Sequence, residues 1–247
     1  MKLLGKTDPG KVRKTNQDSF ALHEFHKDCQ YALVCDGMGG HNGGNVASEL
    51  AVVSIENLLE SSVHAGVESQ NVQELLFSVI EKANDMVLSA SLKDDGLKGM
   101  GTTVVLAFRL DQSIYIAHIG DSRAYLRRND RLERLTKDHS LVQDMIDRGE
   151  LTPEQAAVHP YRHVITRVVG VSADAESEVS VLRWQPGDRI LLCSDGLSSV
   201  LTDHEIFLML SLPEDEICDR LISAANERGG PDNITVALMI LDEKTED

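Results

Sequence analysis

Thr103 to Leu110 (TVVLAFRL), Ser113 to Ile119 (SIYIAHI), Arg123 to Arg128 (RAYLRR) and Leu132 to Leu135 (LERL) follow one another in a single stretch. The short polar links Asp111-Gln112, Gly120-Asp121-Ser122 and Asn129-Asp130 separate them. Apolar runs rich in β-branched and aromatic residues, bounded by such links, predict strands. The shortness of the links predicts an antiparallel meander, because parallel neighbours need long crossovers.

Outward from this stretch the pattern changes period. Upstream, Tyr31-Ala32-Leu33-Val34-Cys35 reads as a buried strand running into Asp36-Gly37. Val46, Leu50, Val53 and Leu58 recur at helical spacing over about 43–61, and Leu75, Leu76, Val79, Ile80, Ala83 and Val87 do so over about 72–92. Downstream, about 138–170 breaks the rhythm with a short helix (Leu141 to Arg148), Pro153 and Pro160, and reads as an insertion over the sheets. Strands return at 178–184 and 188–193, helices at 203–211 and 215–228, and a last strand at 234–241. Strands in runs with helices in pairs predict an α+β fold. The expected architecture is a four-layer α-β-β-α sandwich, two antiparallel sheets flanked by helix pairs. One domain over 1–242 is expected, with the insertion as a flap and 243–247 as a polar tail.

Composition narrows the function classes. Of 247 residues 42% are hydrophobic but only 4% aromatic, so the core must be mainly aliphatic. Lys and Arg total 24 against 40 Asp and Glu, a formal net charge of -16, which repels a polyanion and argues against nucleic acid as partner. The four cysteines, Cys29, Cys35, Cys193 and Cys218, form no C-x-x-C pair, and Cys35 and Cys193 lie in apolar runs. That usage suits reduced core thiols in a cytoplasmic protein. The N-terminus meets Lys2, Lys6 and Asp8 too early for a secretory apolar core, and no run approaches the roughly 18 apolar residues of a membrane span. A cytoplasmic monomer without membrane contact is expected.

Two segments share a design, Val34-Cys35-Asp36-Gly37 and Leu192-Cys193-Ser194-Asp195-Gly196. Each is an apolar strand ending in Asp-Gly. That pair is also a common hairpin turn, yet helix-like sequence follows both rather than a second strand. Asp18, Asp121 and Asp232 have turn-adjacent settings too, and each alone reads as a turn or cap residue.

Taken in order, R-x-x-N-Q-D (13–18), D-G-M-G-G-H (36–41), G-T-T (101–103), G-D-S-R (120–123), S-D-G-L (194–197) and G-G-P-D-N-I-T (229–235) resemble the protein phosphatase 2C family, compact bacterial type. The resemblance covers nearly the whole chain. It implies metal-dependent hydrolysis of phosphoserine and phosphothreonine in proteins, with two Mn²⁺ or Mg²⁺ ions activating a bridging water. By motif position Asp36 would bridge the ions, Asp195 and Asp232 would complete one shell, and the Gly37 carbonyl would serve the other. Asp18 would act through water, and Asp121 with Asp195 would hold a third, weaker ion. Substrate phosphoproteins and a cognate bacterial Ser/Thr kinase are the implied partners.

The chemistry makes sense of this set. Packed carboxylates repel unless dications neutralise them, and all-oxygen ligands select Mg²⁺ or Mn²⁺. Arg13 suits a phosphate clamp, because guanidinium offers paired hydrogen bonds. Met38 stands where animal members carry a histidine after Asp-Gly; His41, three positions on, is the candidate general acid by analogy with bacterial sequences. His23 and His26 read as surface residues, and His139, His159 and His163 as fold or substrate-contact residues rather than ligands. Two other classes stay in play at this level. A catalytically dead phosphoprotein binder would lack an aspartate or Arg13, and none is missing. A metal-dependent nuclease would want a basic groove.

Overall fold

The computed structural model describes residues 1–64 and 66–241, with the backbone alone at 40–42. The order is β1 (Lys2–Asp8), β2 (Asp18–His26), β3 (Cys29–Met38), α1 (Gly40–His64), α2 (Val72–Lys93), β4 (Gly101–Thr102), β5 (Val104–Leu110) and β6 (Ser113–Ile119). Then follow β7 (Arg123–Arg128), β8 (Arg131–Arg134), α3 (Leu141–Asp147), α4 (Pro153–Ala157), β9 (Glu178–Arg183), β10 (Arg189–Cys193), α5 (Asp195–Ser198), α6 (Asp203–Met209), α7 (Glu214–Glu227) and β11 (Ile234–Ile240). One antiparallel sheet has the order β1-β11-β10-β7-β8, the other β2-β3-β5-β6-β9 with β4 on β3. The expected tail, 243–247, lies outside the described residues.

Alternation along the strands sorts side chains into three apolar layers. On β3, Leu33 and Cys35 pack with α1 and α2, whereas Ala32 and Val34 face the other sheet. On β10, Leu191 and Cys193 face the α5–α7 side and Ile190 and Leu192 the sheet interface. Small residues (Ala32, Ala107, Ala124, Ala237) recur between the sheets, which lets two bilayered strands approach closely. The result is the expected α-β-β-α sandwich. All four cysteines are free and buried, as core thiols. No described helix is long and apolar enough to cross a membrane.

Two expectations need correction. The meander is broken: β5 pairs with β6 and β7 with β8, but β6 pairs onward with β9 and β7 with β10. Gly120-Asp121-Ser122 therefore crosses from one sheet to the other. Gly120 holds φ +107°, and a β-carbon there would lie 2.6 Å from the Thr103 side chain, so the link forms a tight corner rather than a hairpin turn. Sequence could not assign the sheet, because β5 and β6 are buried on both faces and carry no solvent-facing register. Second, β1 and β2 were not foreseen. Among the described residues β1 is an edge strand paired only with β11, and Lys2, Lys6 and Asp8 give it the charged pattern edges favour.

The segment between β8 and β9 carries α3 and α4. Ser140 caps α3, and Thr152, Pro153 and Gln155 form a capping box with Pro at the helix start for α4. Isolated bridges Ser140↔Ile165 and Thr102↔Val169 tie its ends down.

Candidate metal centre

Strand register brings the five aspartates together. Asp18 opens β2 and is the register partner of Asp36 near the end of β3. Cys193 of β10 is opposite both Arg123 and Val236. Two residues on, Asp195 thus leaves the sheet beside the Asp121 corner and beside the Asp232 loop. The Ser194 hydroxyl spans the two sheets, donating to Asp18 Oδ2 at 2.7 Å. Gly196 allows the close approach of α5 to the last loop, since a β-carbon there would sit 1.9 Å from the Asn233 carbonyl oxygen.

The cluster is electrostatically strained. Burial pushes Asp18 up to about 6, with Asp195 and Asp232 adding to it and hydrogen bonds from Thr235 and Ser194 opposing. Asp121 is pushed up to about 8 by burial, then by Asp195 and Asp138. Asp36 is raised well above the carboxylate range by burial and then by the charges of Asp18, Asp195, Asp121 and Asp232. Asp195 is raised by burial and by Asp232, while His163, between α4 and β9, tempers it. These mutual effects are the energetic signature of carboxylates gathered in one place.

Nearby cations leave most of the cluster unneutralised. Arg123 forks onto Asp138, at 2.9 Å through Nε and 2.6 Å through Nη2. Arg13 Nη2 bonds Asp232 Oδ2 at 2.7 Å. Among the described residues no ion pair engages Asp18, Asp36, Asp121 or Asp195. Asp18 Oδ1 and Asp121 Oδ1 are buried with no hydrogen-bond partner among the described residues. Orphaned buried carboxylate oxygens, with all-oxygen neighbours, are what hard dications would satisfy. The residues present fit such ions.

Each predicted residue has a place. Gly37 follows Asp36 on β3, and its carbonyl faces Gly44 of α1, where a β-carbon would meet it at 2.7 Å. Arg13 is half-exposed on the 9–17 loop beside the cluster. His41 falls in the first turn of α1 by its backbone, and its side chain lies outside the described residues. His23 and His26 are exposed. A cleft of about 520 Å³ opens beside Asp121 and Asp195 and is lined on its other side by Val142, Ile146, Arg162 and His163, from the segment between β8 and β9.

Sequence reasoning missed the residues that hold the clustered aspartates in place. Ser194 Oγ also accepts the Thr235 N–H at 3.0 Å. Thr103 Oγ1 accepts the Asp36 N–H at 2.9 Å and bonds Ser122 Oγ at 2.7 Å. Asn233 Oδ1 accepts from Gln17 N–H at 2.8 Å, and its Nδ2 donates to the Pro9 and Thr15 carbonyls at 3.0 Å, so it anchors the loop that carries Arg13. The available signal was position: each stands within the S-D-G, G-T-T, G-D-S-R or D-N-I-T motifs.

Comparisons agree with this arrangement. The family described as Protein phosphatase 2C matches residues 11–238. The Serine/threonine phosphatase stp of Listeria monocytogenes is 37% identical over 236 residues, 95% of this chain and 93% of that protein. The solved structure of the S. agalactiae serine/threonine phosphatase superposes with a TM-score of 0.89 at 35% identity, covering 98% of this chain and 99% of that one. The catalytic domain of the phosphatase PstP, solved in complex with 2 manganese ions, gives 0.84 at 33% identity, with 98% of each chain covered. Motifs, sandwich and aspartate cluster converge on one conclusion: this chain belongs to the protein phosphatase 2C family.

Proposed function

We propose that the aspartate cluster is a dinuclear Mn²⁺ or Mg²⁺ centre with which this chain hydrolyses phosphoserine and phosphothreonine in proteins. The chain is a protein-serine/threonine phosphatase; the assignment of roles within its site is our reading. One observation carries it: buried Asp18 and Asp121 each hold an unpartnered carboxylate oxygen in a cluster whose neighbouring arginines are engaged at Asp138 and Asp232.

Asp36, Asp195 and Asp232 with the Gly37 carbonyl would hold the two ions, Asp36 serving both, Asp195 and Asp232 one and Gly37 the other. Asp121 with Asp195 would hold a third, weaker ion. Bound dications supply a water of lowered pKa and neutralise the phosphoryl oxygens. The chain's own residues do the rest. Arg13 turns its N–H fork between Asp232 and the incoming phosphate, and so orients it. Asp18, gripped on Oδ2 by Ser194, would serve the ions through water, for which its Oδ1 is left as acceptor. His41 is assigned as proton donor to the leaving oxygen, on motif position. The cleft beneath the flap would take the peptide around the phosphorylated residue.

One domain over 1–242, with 138–170 as its flap, is the unit to which we assign this activity; β1 pairing with β11 along its whole length supports it. The same reading sets the chain as a cytoplasmic monomer reversing a Ser/Thr kinase in signalling, and the free buried thiols support a reducing compartment. The test is a Mn²⁺ titration against phosphothreonine peptides and a DNA phosphodiester. Peptide hydrolysis that chelation abolishes is expected; cleavage of the phosphodiester alone would overturn the reading.

A further inference from the structure

A second group of metal-ligating side chains lies behind the Asp121 corner. His118 on β6 and His139, which follows β8, stack with ring centroids 4.8 Å apart. One ring nitrogen of each, and a carboxylate oxygen of Glu178 at the start of β9, lie within 4.8 Å of one another. Both histidines are buried, while Glu178 reaches solvent. A hollow of about 340 Å³, lined by His118, Lys137 and Glu178 among others, gives access. We propose that His118, His139 and Glu178 form a separate site for a borderline dication such as Zn²⁺, and that filling it disturbs the corner that holds Asp121.

Donor type argues for a metal other than that of the aspartate centre. Two imidazoles and one carboxylate suit Zn²⁺ or Co²⁺, whereas Mg²⁺ and Mn²⁺ favour oxygen. Spacing agrees. Ligand bonds of about 2.0–2.1 Å at a tetrahedral angle set neighbouring donor atoms roughly 3.3 Å apart. His139 Nε2 already lies 3.2 Å from Glu178 Oε1. His118 Nε2 meets the Lys137 carbonyl at 2.9 Å; a carbonyl only accepts, so Nε2 carries the proton and Nδ1 the lone pair. A ligating histidine commonly has its other nitrogen fixed in this way. Burial lowers the pKa of both rings and so favours the neutral, ligating form. Arg167 Nη1, 3.6 Å from Glu178 Oε1, opposes a dication, but it is only partly buried and also reaches Glu176, to which it can withdraw.

The coupling follows from one proton. Gly120 N–H donates to His139 Nδ1 at 3.2 Å, so His139 carries its proton on Nε2 and gives it to Glu178. A metal on Nε2 displaces that proton, and a neutral ring must then hold one on Nδ1. There it faces the Gly120 N–H, and two donors cannot pair. The metal and the Gly120 hydrogen bond therefore exclude each other. His139 N–H also holds the Gly120 carbonyl at 2.9 Å, so the residue before Asp121 loses half its grip when the site fills.

The metal site stands by itself; only the effect on turnover rests on the phosphatase reading. The test uses full-length Asp36→Asn protein, in which the aspartate centre is impaired, titrated with Co²⁺. One equivalent should develop the intense visible absorption of four-coordinate Co²⁺, which six-coordinate Co²⁺ on oxygens lacks. Adding Glu178→Gln, at a solvent-reaching side chain that leaves folding intact, should weaken this binding about tenfold or more. Absence of the band, or a band that Glu178→Gln leaves unchanged, would overturn the site. In the wild-type background, Zn²⁺ should inhibit Mn²⁺-saturated peptide hydrolysis. Glu178→Gln should relieve that inhibition about tenfold with Mn²⁺-only turnover unchanged. Zn²⁺ that binds at the band-forming site without inhibiting would overturn the coupling to Asp121. A wild type with no Mn²⁺-dependent turnover at all would instead count against the phosphatase reading.

Discussion

Asp18 and Asp36 are register partners across β2 and β3, so two carboxylates that head for the same centre stand directly opposite on adjacent strands. Like charges in that position destabilise a sheet. Asp195 and Asp121, arriving from the other sheet, add to the repulsion. The fold tolerates this arrangement at a cost that bound cations would remove.

The cost has a pH dependence with a definite sign. An acid whose pKa is raised on folding stabilises the protein while protonated, and this contribution is lost as pH rises through the folded value. Asp18 moves from 3.8 to about 6 and Asp121 from 3.8 to about 8. Metal-free protein should therefore lose stability from about pH 4 through pH 8, with its Tm higher at pH 6 than at pH 8. Saturating Mn²⁺ should raise Tm more at pH 8 than at pH 6. Scanning calorimetry in chelator and in Mn²⁺ measures both; a metal-free Tm that climbs from pH 6 to pH 8 would refute the assignment of strain.

Arg13 bonds Asp232 from a half-exposed position. An exposed pair of this kind contributes about 0–1 kcal/mol, so Arg13→Ala should leave the Tm within a few degrees. Its effect belongs to the substrate: KM for phosphopeptide should rise and kcat/KM fall about tenfold or more, with partial rescue by Arg13→Lys, which keeps the charge but loses the fork. Steady-state kinetics on the three proteins decide it, and an Ala variant with wild-type kcat/KM would remove Arg13 from the site.

Ser194 is fully buried and links Asp18 Oδ2 to the Thr235 amide. Ser194→Ala removes a donor from Asp18 Oδ2, strands the Thr235 amide and should cost about 1–3 kcal/mol. Because it frees a carboxylate beside the centre, Mn²⁺ affinity should also drop about 10–100-fold. Calorimetric titration of the folded variant gives that number; unaltered affinity would make Ser194 a fold residue only.

Gly196 has no room for a methyl group, since the Asn233 carbonyl would lie 1.9 Å from it. Gly196→Ala should push Asp195 and the Asp232 loop apart. Soluble protein, where obtained, should show a lowered Tm and reduced Mn²⁺ affinity. A variant equal to wild type in both would show that the loop yields freely.

Much of this was legible in the sequence because it rests on local patterns. The strands Ser113–Ile119 and Arg123–Arg128 read directly from apolar runs between polar links, and the helix at 72–92 from its stripe. The sheet crossing at Gly120 was not legible, since doubly buried strands carry no face to assign. β1 hid behind its charges, and α4 behind irregular sequence, although Thr152-Pro153-Glu154-Gln155 is a helix-start signal in plain view. The aspartates were visible as motifs. Their supports, Ser194, Thr103 and Asn233, act across sequence separations of 176, 67 and 216 residues, which no local pattern encodes.

The most direct measurement is Mn²⁺ stoichiometry on wild-type protein and on Asp36→Asn, with folding checked by circular dichroism. The wild type should bind at least two ions. The variant should fold with a higher metal-free Tm, bind Mn²⁺ about 100-fold more weakly or worse, and lose phosphopeptide turnover to a similar degree. A folded Asp36→Asn protein that keeps wild-type Mn²⁺ binding and turnover would contradict the account.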